Sequence, residues 1–164
     1  MTAKKSDSIP EGFTIQMAAV DALPVLFFAG SAIVLSVRFP SVFFRLGALL
    51  VILGGSLKVS WKFVIALAHR NIRILNRQMR YLMPCGFLLI LFSLIIDRQK
   101  WSPAAAIAHI LSFPALIFFL AGAVGMACMT IYAQKFSGMD AKANWIEQAT
   151  NAAAQACIFL GILL

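Results

Sequence analysis

Lys58 and Lys62 lie four residues apart inside an apolar stretch, residues 46–67 (LGALLVILGGSLKVSWKFVIAL). Such a stretch is long enough to cross a bilayer, which takes about 20 apolar residues. A charge at the centre of a membrane helix costs about 2.5–3.5 kcal/mol on insertion scales. Residues four apart share one helix face, so both ammonium groups need a carboxylate, a ligand or water on that side. The preceding apolar stretch supplies one carboxylate, Asp21. A polar site inside a membrane protein follows as the expectation.

The rest of the chain agrees with that environment. Of its 164 residues, 62% are hydrophobic, and the mean hydropathy is +0.90. Soluble domains lie nearer 45–50% apolar. Five apolar segments can be read, at about 15–37, 42–68, 81–96, 104–133 and 145–164. The expected fold is an all-α integral membrane protein, a compact bundle of about five transmembrane helices behind a short cytoplasmic tail, residues 1–14. The fifth segment is polar in its first half. The alternative is therefore four spans plus an interfacial C-terminal helix. The first apolar segment is too long for the core of a signal peptide, so it reads as a retained helix.

Basic residues set the expected orientation. Lys4, Lys5, Arg70, Arg73, Arg77, Arg80, Lys135 and Lys142 fall on one side of the five-span arrangement. Only Arg38, Arg45, Arg98 and Lys100 fall on the other. The side richer in Lys and Arg is normally cytoplasmic. The N-terminus is then cytoplasmic, and the expected location is a bacterial cytoplasmic membrane. The formal net charge of +8 is read as this bias and as affinity for anionic lipids, with no nucleic-acid partner expected.

Depth arguments assemble a site. At 1.5 Å per residue, Asp21 lies roughly 9 Å in from the cytoplasmic edge of the first helix. Lys62 lies at the same depth in the second, with Lys58 one turn deeper. The link between the helices (RFPS) is short, so they form a hairpin and Asp21 can meet Lys62. In the fifth segment Asn144, Glu147, Gln148, Asn151 and Gln155 follow helical spacing. Amides cannot face lipid unpaired, so Asn151 and Gln155 are expected at the depth of the lysines, with Glu147 nearer the cytoplasmic mouth. The candidate cavity residues are Asp21, Lys58, Lys62, Glu147, Asn151 and Gln155. On the other side of that helix Ala149, Ala153, Cys157 and Gly161 place a small residue at every fourth position, a pattern that permits close helix contact.

Arg70, Arg73, Arg77 and Arg80 repeat at intervals of three, four and three, which aligns them on one helical face. They read as a short basic amphipathic helix, continuous with the second span, suited to anionic lipid headgroups. Pro24, Pro84 and Pro114 each remove a backbone donor and are expected to kink their helices.

Several chemistries have no support. The three cysteines are scattered with no CxxC, so neither a redox pair nor a zinc site is suggested. His69 and His109 fall at opposite ends of the bundle. There is no phosphate-binding loop or dinucleotide fingerprint, and no cofactor or metal is expected. The favoured function is a small binding or transport protein whose polar cavity takes a small anionic or zwitterionic molecule or a lipid headgroup. A chain of this size acting in transport implies a homo-oligomer. A membrane enzyme acting on a lipid, with Asp21 or Glu147 as acid or base, is one alternative. An accessory subunit of a membrane complex is another.

Overall fold

A computed structural model describes residues 13–135 and 141–164; Lys4 and Lys5, in the tail, lie outside them. All regular structure among the described residues is helical, with no strand. The helices are α1 (Ile15–Arg38), α2 (Val42–Ala68), α3 (Arg73–Arg77), α4 (Met79–Ile96), α5 (Pro103–Leu111), α6 (Ala115–Lys135) and α7 (Ala141–Leu163). Four stretches are long and apolar enough to cross a membrane: α1, α2, the combined α3–α4 stretch Arg73–Ile96, and α6. The fifth long helix, α7, has 23 residues and extends roughly 34 Å at 1.5 Å per residue.

Local chemistry sets several of the helix ends. Thr14 caps α1 by accepting from the Met17 amide at 3.2 Å, and Ser41 caps α2 through the Phe44 amide at 3.2 Å. Ser102 caps α5 through the Ala105 amide at 3.3 Å, with Pro103 in the first turn. Such caps satisfy amides that have no partner within the helix. His69 ends α2 in the left-handed region at φ 48°.

The long helices form a row, α4–α2–α1–α7–α6, each packed on the next. Glycines allow the closest crossings. A Cβ on Gly47 of α2 would sit 2.6 Å from the carbonyl oxygen of Gly86 on α4, and one on Gly86 would sit 2.7 Å from that of Gly47. Between α6 and α7, Gly122 and Gly125 leave room for Ile158 and Ala154. Close backbone approach through small residues is the usual basis of helix association where the surroundings are as apolar as the side chains. Among the described residues the end helices α4 and α6 are not packed on each other as the neighbours in the row are. Both reach the same cleft, so the row bends into a C around it.

Three sequence expectations change. The basic stretch is continuous with the third apolar segment, not the second. The left-handed turn at His69 ends α2, and a helix begins afresh at Arg73 and leads into α4. The fourth segment is not one helix from 104 to 133. It divides at Ser112–Pro114 into α5 and α6, because proline lacks an amide donor and disfavours helix at the preceding residue. Pro24 and Pro84, by contrast, lie inside α1 and α4. Of the small residues of α7, Ala154 packs against Gly125 and Gly161 against Phe119 of α6, while Ala149 and Ala153 are exposed. Gly161 of the small-residue series thus lies in the contact, while in the middle of the helix the interface sits one residue away from Ala153, where Gly125 of α6 receives Ala154.

At the end of the bundle opposite His69, the loop after α4 is tied to the α1–α2 link. The Ser41 hydroxyl donates to Asp97 Oδ2 at 2.6 Å, and Lys100 Nζ lies 2.6 Å from Asp97 Oδ1. The Lys100 ammonium, and then the Ser41 hydroxyl, hold the Asp97 carboxyl below its ordinary pKa. The last turn of α7 is met there too. Arg38 donates to the Ile162 carbonyl at 2.9 Å, and His109 Nε2 lies 3.0 Å from the Gly161 carbonyl oxygen. Basic groups at a helix C-terminus satisfy its open carbonyls.

Candidate functional site

Lys62 is the best-buried charged group among the described residues, with 2% of its surface exposed. Its ammonium lies 3.1 Å from Asp21 Oδ2 and donates to Asn144 Oδ1 at 2.8 Å. Asp21 is 4% exposed. The Asp21 contact is an ion pair without the angles of a directed hydrogen bond; the directed bond goes to Asn144. The ring of Phe13 covers the ammonium, 6.0 Å from its centroid. Three elements therefore converge on one nitrogen: α1 through Asp21, α2 through Lys62 and α7 through Asn144. Two charges removed from water together are tolerated only where each finds partners of this kind.

One turn from Lys62 along α2, Lys58 lines a cleft of about 310 Å³. Asp21, Glu147, Asn151 and Gln155 line the same cleft. Five of the six residues read in the sequence as cavity residues thus meet around one space. The sixth, Lys62, is sealed behind it. Glu147 and Lys58 are half-buried, and neither forms an ion pair among the described residues. Gln155 donates weakly to the Met126 sulfur at 3.7 Å. Gln148, 1% exposed, lies on the neighbouring face of α7, and its carbonyl oxygen has no hydrogen-bond partner among the described residues.

The register of α7 differs from the expected one. With a helix start near Asn144, Asn151 would lie level with Lys62. The helix begins at Ala141 instead, and Asn144 takes that place. Asn151 and Gln155 reach farther along the cleft. Asn144 was visible in the polar series but not as the residue that meets Lys62. The signal lies in the spacing 144, 148, 151, 155, a stripe of three- and four-residue steps that points one way along the helix.

The apolar wall was not anticipated. Met79 and Met83 of α4 face the cleft from one side, and Met126 and Met129 of α6 from the other. Their spacings of four and three residues mark a single helix face in each case. Methionine is unbranched and adapts to irregular shapes. The polar lining comes from α1, α2 and α7, and α4 and α6 contribute this soft border.

The basic row lies apart from the cleft. Arg70, Arg77 and Arg80 are exposed, and Arg73 is half-buried. The linker that carries Arg70 is pinned to α2 by a 3.0 Å hydrogen bond from the Trp61 indole to Asn71. Gln78 ties the following turn to α2 by donating to the Gly54 carbonyl at 3.3 Å. Among the described residues, no three His, Cys, Asp or Glu side chains are grouped so as to hold a metal ion. No protein-family profile, curated protein or solved structure matches this chain.

Proposed function

We propose that this is a small polytopic membrane protein whose cleft binds, or carries across the bilayer, a small anionic or zwitterionic molecule or a lipid headgroup. Four apolar helices are compatible with a membrane protein. In this reading α7 is a fifth span, kept in the bilayer by packing its polar stripe inward. Its contacts support that role. Near its start Asn144 meets Lys62, and at its other end Ile162 meets Arg38, so it runs the length of α1.

The observation that carries the reading is the charge left at the cleft. The Asp21–Lys62 pair satisfies itself, while Lys58 lines the cleft with no carboxylate within ion-pair distance among the described residues. A half-buried ammonium beside amides and methionines is a binding site for a negatively charged group. The Arg70–Arg80 row is proposed to hold anionic lipid at the cytoplasmic end. The test is to identify by native mass spectrometry what leaves with the purified protein. A small molecule or lipid retained by the native chain and lost in Lys58→Met supports binding. An unliganded protein that retains nothing from a total membrane extract sinks it.

A further inference from the structure

The two free charges of the cleft, and the side on which it is least closed, specify its occupant more narrowly. Four ionisable side chains gather here, and two of them neutralise each other at 3.1 Å. What remains is one positive group, Lys58 on α2, and one negative group, Glu147 on α7, both lining the cleft and neither ion-paired among the described residues. An anion would satisfy Lys58 and leave Glu147 only the through-space attraction of Lys62, and a cation would leave Lys58 facing the like charge of Lys62. In a low-dielectric site an unpaired charge is costly. A ligand carrying both signs satisfies both.

The border of the cleft adds the second half. α4 and α6 both line it but are not packed on each other, so among the described residues the C-shaped row is open between them. That opening is edged by Met79 and Met83 on one helix and by Met126 and Met129 on the other. Flexible thioether side chains suit an acyl chain lying between them. The volume, about 310 Å³, is at the small end for a ligand pocket. It takes a headgroup and the start of a chain, with the remainder left outside.

We propose that the cleft takes a zwitterionic phospholipid, an ammonium and a phosphodiester on acyl chains, which enters sideways between α4 and α6. The phosphodiester faces Lys58, the ammonium faces Glu147, and the chains leave through the methionine border. This rests on the ligand-binding reading above and narrows its ligand to one class.

The experiment is native mass spectrometry of the delipidated full chain with three added compounds: phosphatidylethanolamine, phosphatidylglycerol and water-soluble phosphoethanolamine. Lys58→Met, Glu147→Gln and Met83→Trp are run beside the native chain, and far-ultraviolet circular dichroism melting reports on folding. We expect phosphatidylethanolamine to be retained at least tenfold more than phosphatidylglycerol, and that preference to fall at least tenfold in both charge variants. Met83→Trp should weaken lipid retention and leave phosphoethanolamine binding intact. Should a charge variant fail to fold, Lys58→Arg and Glu147→Asp replace it, and retained selectivity in both is then the expected result. Preference for phosphatidylglycerol, lost in Lys58→Met but not in Glu147→Gln, overturns the zwitterion and leaves a ligand-binding cleft. Binding of phosphoethanolamine without either lipid overturns sideways lipid access and leaves that cleft as well. Retention of none of the three, or retention indifferent to every variant, overturns both.

Discussion

Asp21 on α1 and Lys62 on α2 meet at 3.1 Å with 4% and 2% of their surfaces exposed, and Asn144 from α7 completes the ammonium's shell at 2.8 Å. This contact ties three helices together at one depth. Breaking a buried pair from one side strands the other charge, typically at a cost of about 3–5 kcal/mol, whereas removing both partners costs less. Asp21→Asn and Lys62→Met should therefore each destabilise the protein strongly, and the double variant should recover part of the loss. A double-mutant cycle by denaturant titration in detergent checks this. Additive effects would mean that the two groups do not stabilise each other.

The glycine crossing gives a graded series. A Cβ at Gly47 meets backbone at 2.6 Å, the Gly86 carbonyl, which cannot rotate away. A Cβ at Gly54 comes closest to Met83 and Leu82 side-chain atoms, at 3.3 and 3.4 Å, with the nearest backbone atom, the Met83 nitrogen, at an ordinary 3.7 Å. Alanine is favoured over glycine in a helix by about 1 kcal/mol, and overpacking costs about 1–3 kcal/mol or more. Gly47→Ala should lower the melting temperature, and Gly54→Ala should leave it level or raise it. Equal effects at the two positions would contradict the α2–α4 contact.

The partner face of α7 separates the sequence reading from the structure. Ala154 is 2% exposed and sits against Gly125, and Ala153 is exposed. Ala154→Leu should disrupt the α6–α7 contact and broaden or lower the thermal transition. Ala153→Leu should be tolerated. The opposite ranking would restore Ala149 and Ala153 to the packing face beside Gly161.

These cases also show what the sequence held. The helix class and the Asp21–Lys62 pair were legible because a charge in an apolar stretch needs a partner, and the short link made α1 and α2 antiparallel neighbours. The polar stripe of α7 was legible for the same reason. The phase of α7 was not. Its first turn carries charge and small residues that could begin a helix at several positions, and each four-residue shift moves the stripe by one turn. Which face packed on α6 was equally hidden, since it depends on Gly122 and Gly125 of another helix. The methionine border went unread because apolar residues in an apolar helix carry no contrast until a neighbouring helix is missing.

Acid should loosen the end of the bundle opposite His69. The Lys100 ammonium and the Ser41 hydroxyl hold the Asp97 carboxyl below its ordinary pKa. A group whose folded pKa is lowered stabilises the fold above its unfolded pKa, near 4, and that contribution is lost as pH falls through the lower folded value. The melting temperature of the native chain should thus fall on acidification through this range more than that of Asp97→Asn. Asp97 is half-buried but its partner Lys100 is exposed, so the difference should be small and should shrink with added salt. Identical acid profiles for the two proteins would remove Asp97 as a stabilising group.

Orientation is the remaining prediction, and it uses the connectivity of the bundle. The alternation of the long helices puts Arg70, Arg73, Arg77, Arg80 and Lys142 at one end, and Arg38, Arg98 and Lys100 at the other. The richer end is proposed to face the cytoplasm. Single cysteines at positions 76 and 99, in a background with Cys85, Cys128 and Cys157 replaced, sample the two ends. A membrane-impermeant thiol reagent applied to sealed cells should label Gln99→Cys and spare Asn76→Cys until the membrane is opened. Labelling of position 76 in intact cells would invert the protein. It would also place the arginine row against the outer leaflet, where the excess of anionic lipid proposed to hold it is absent.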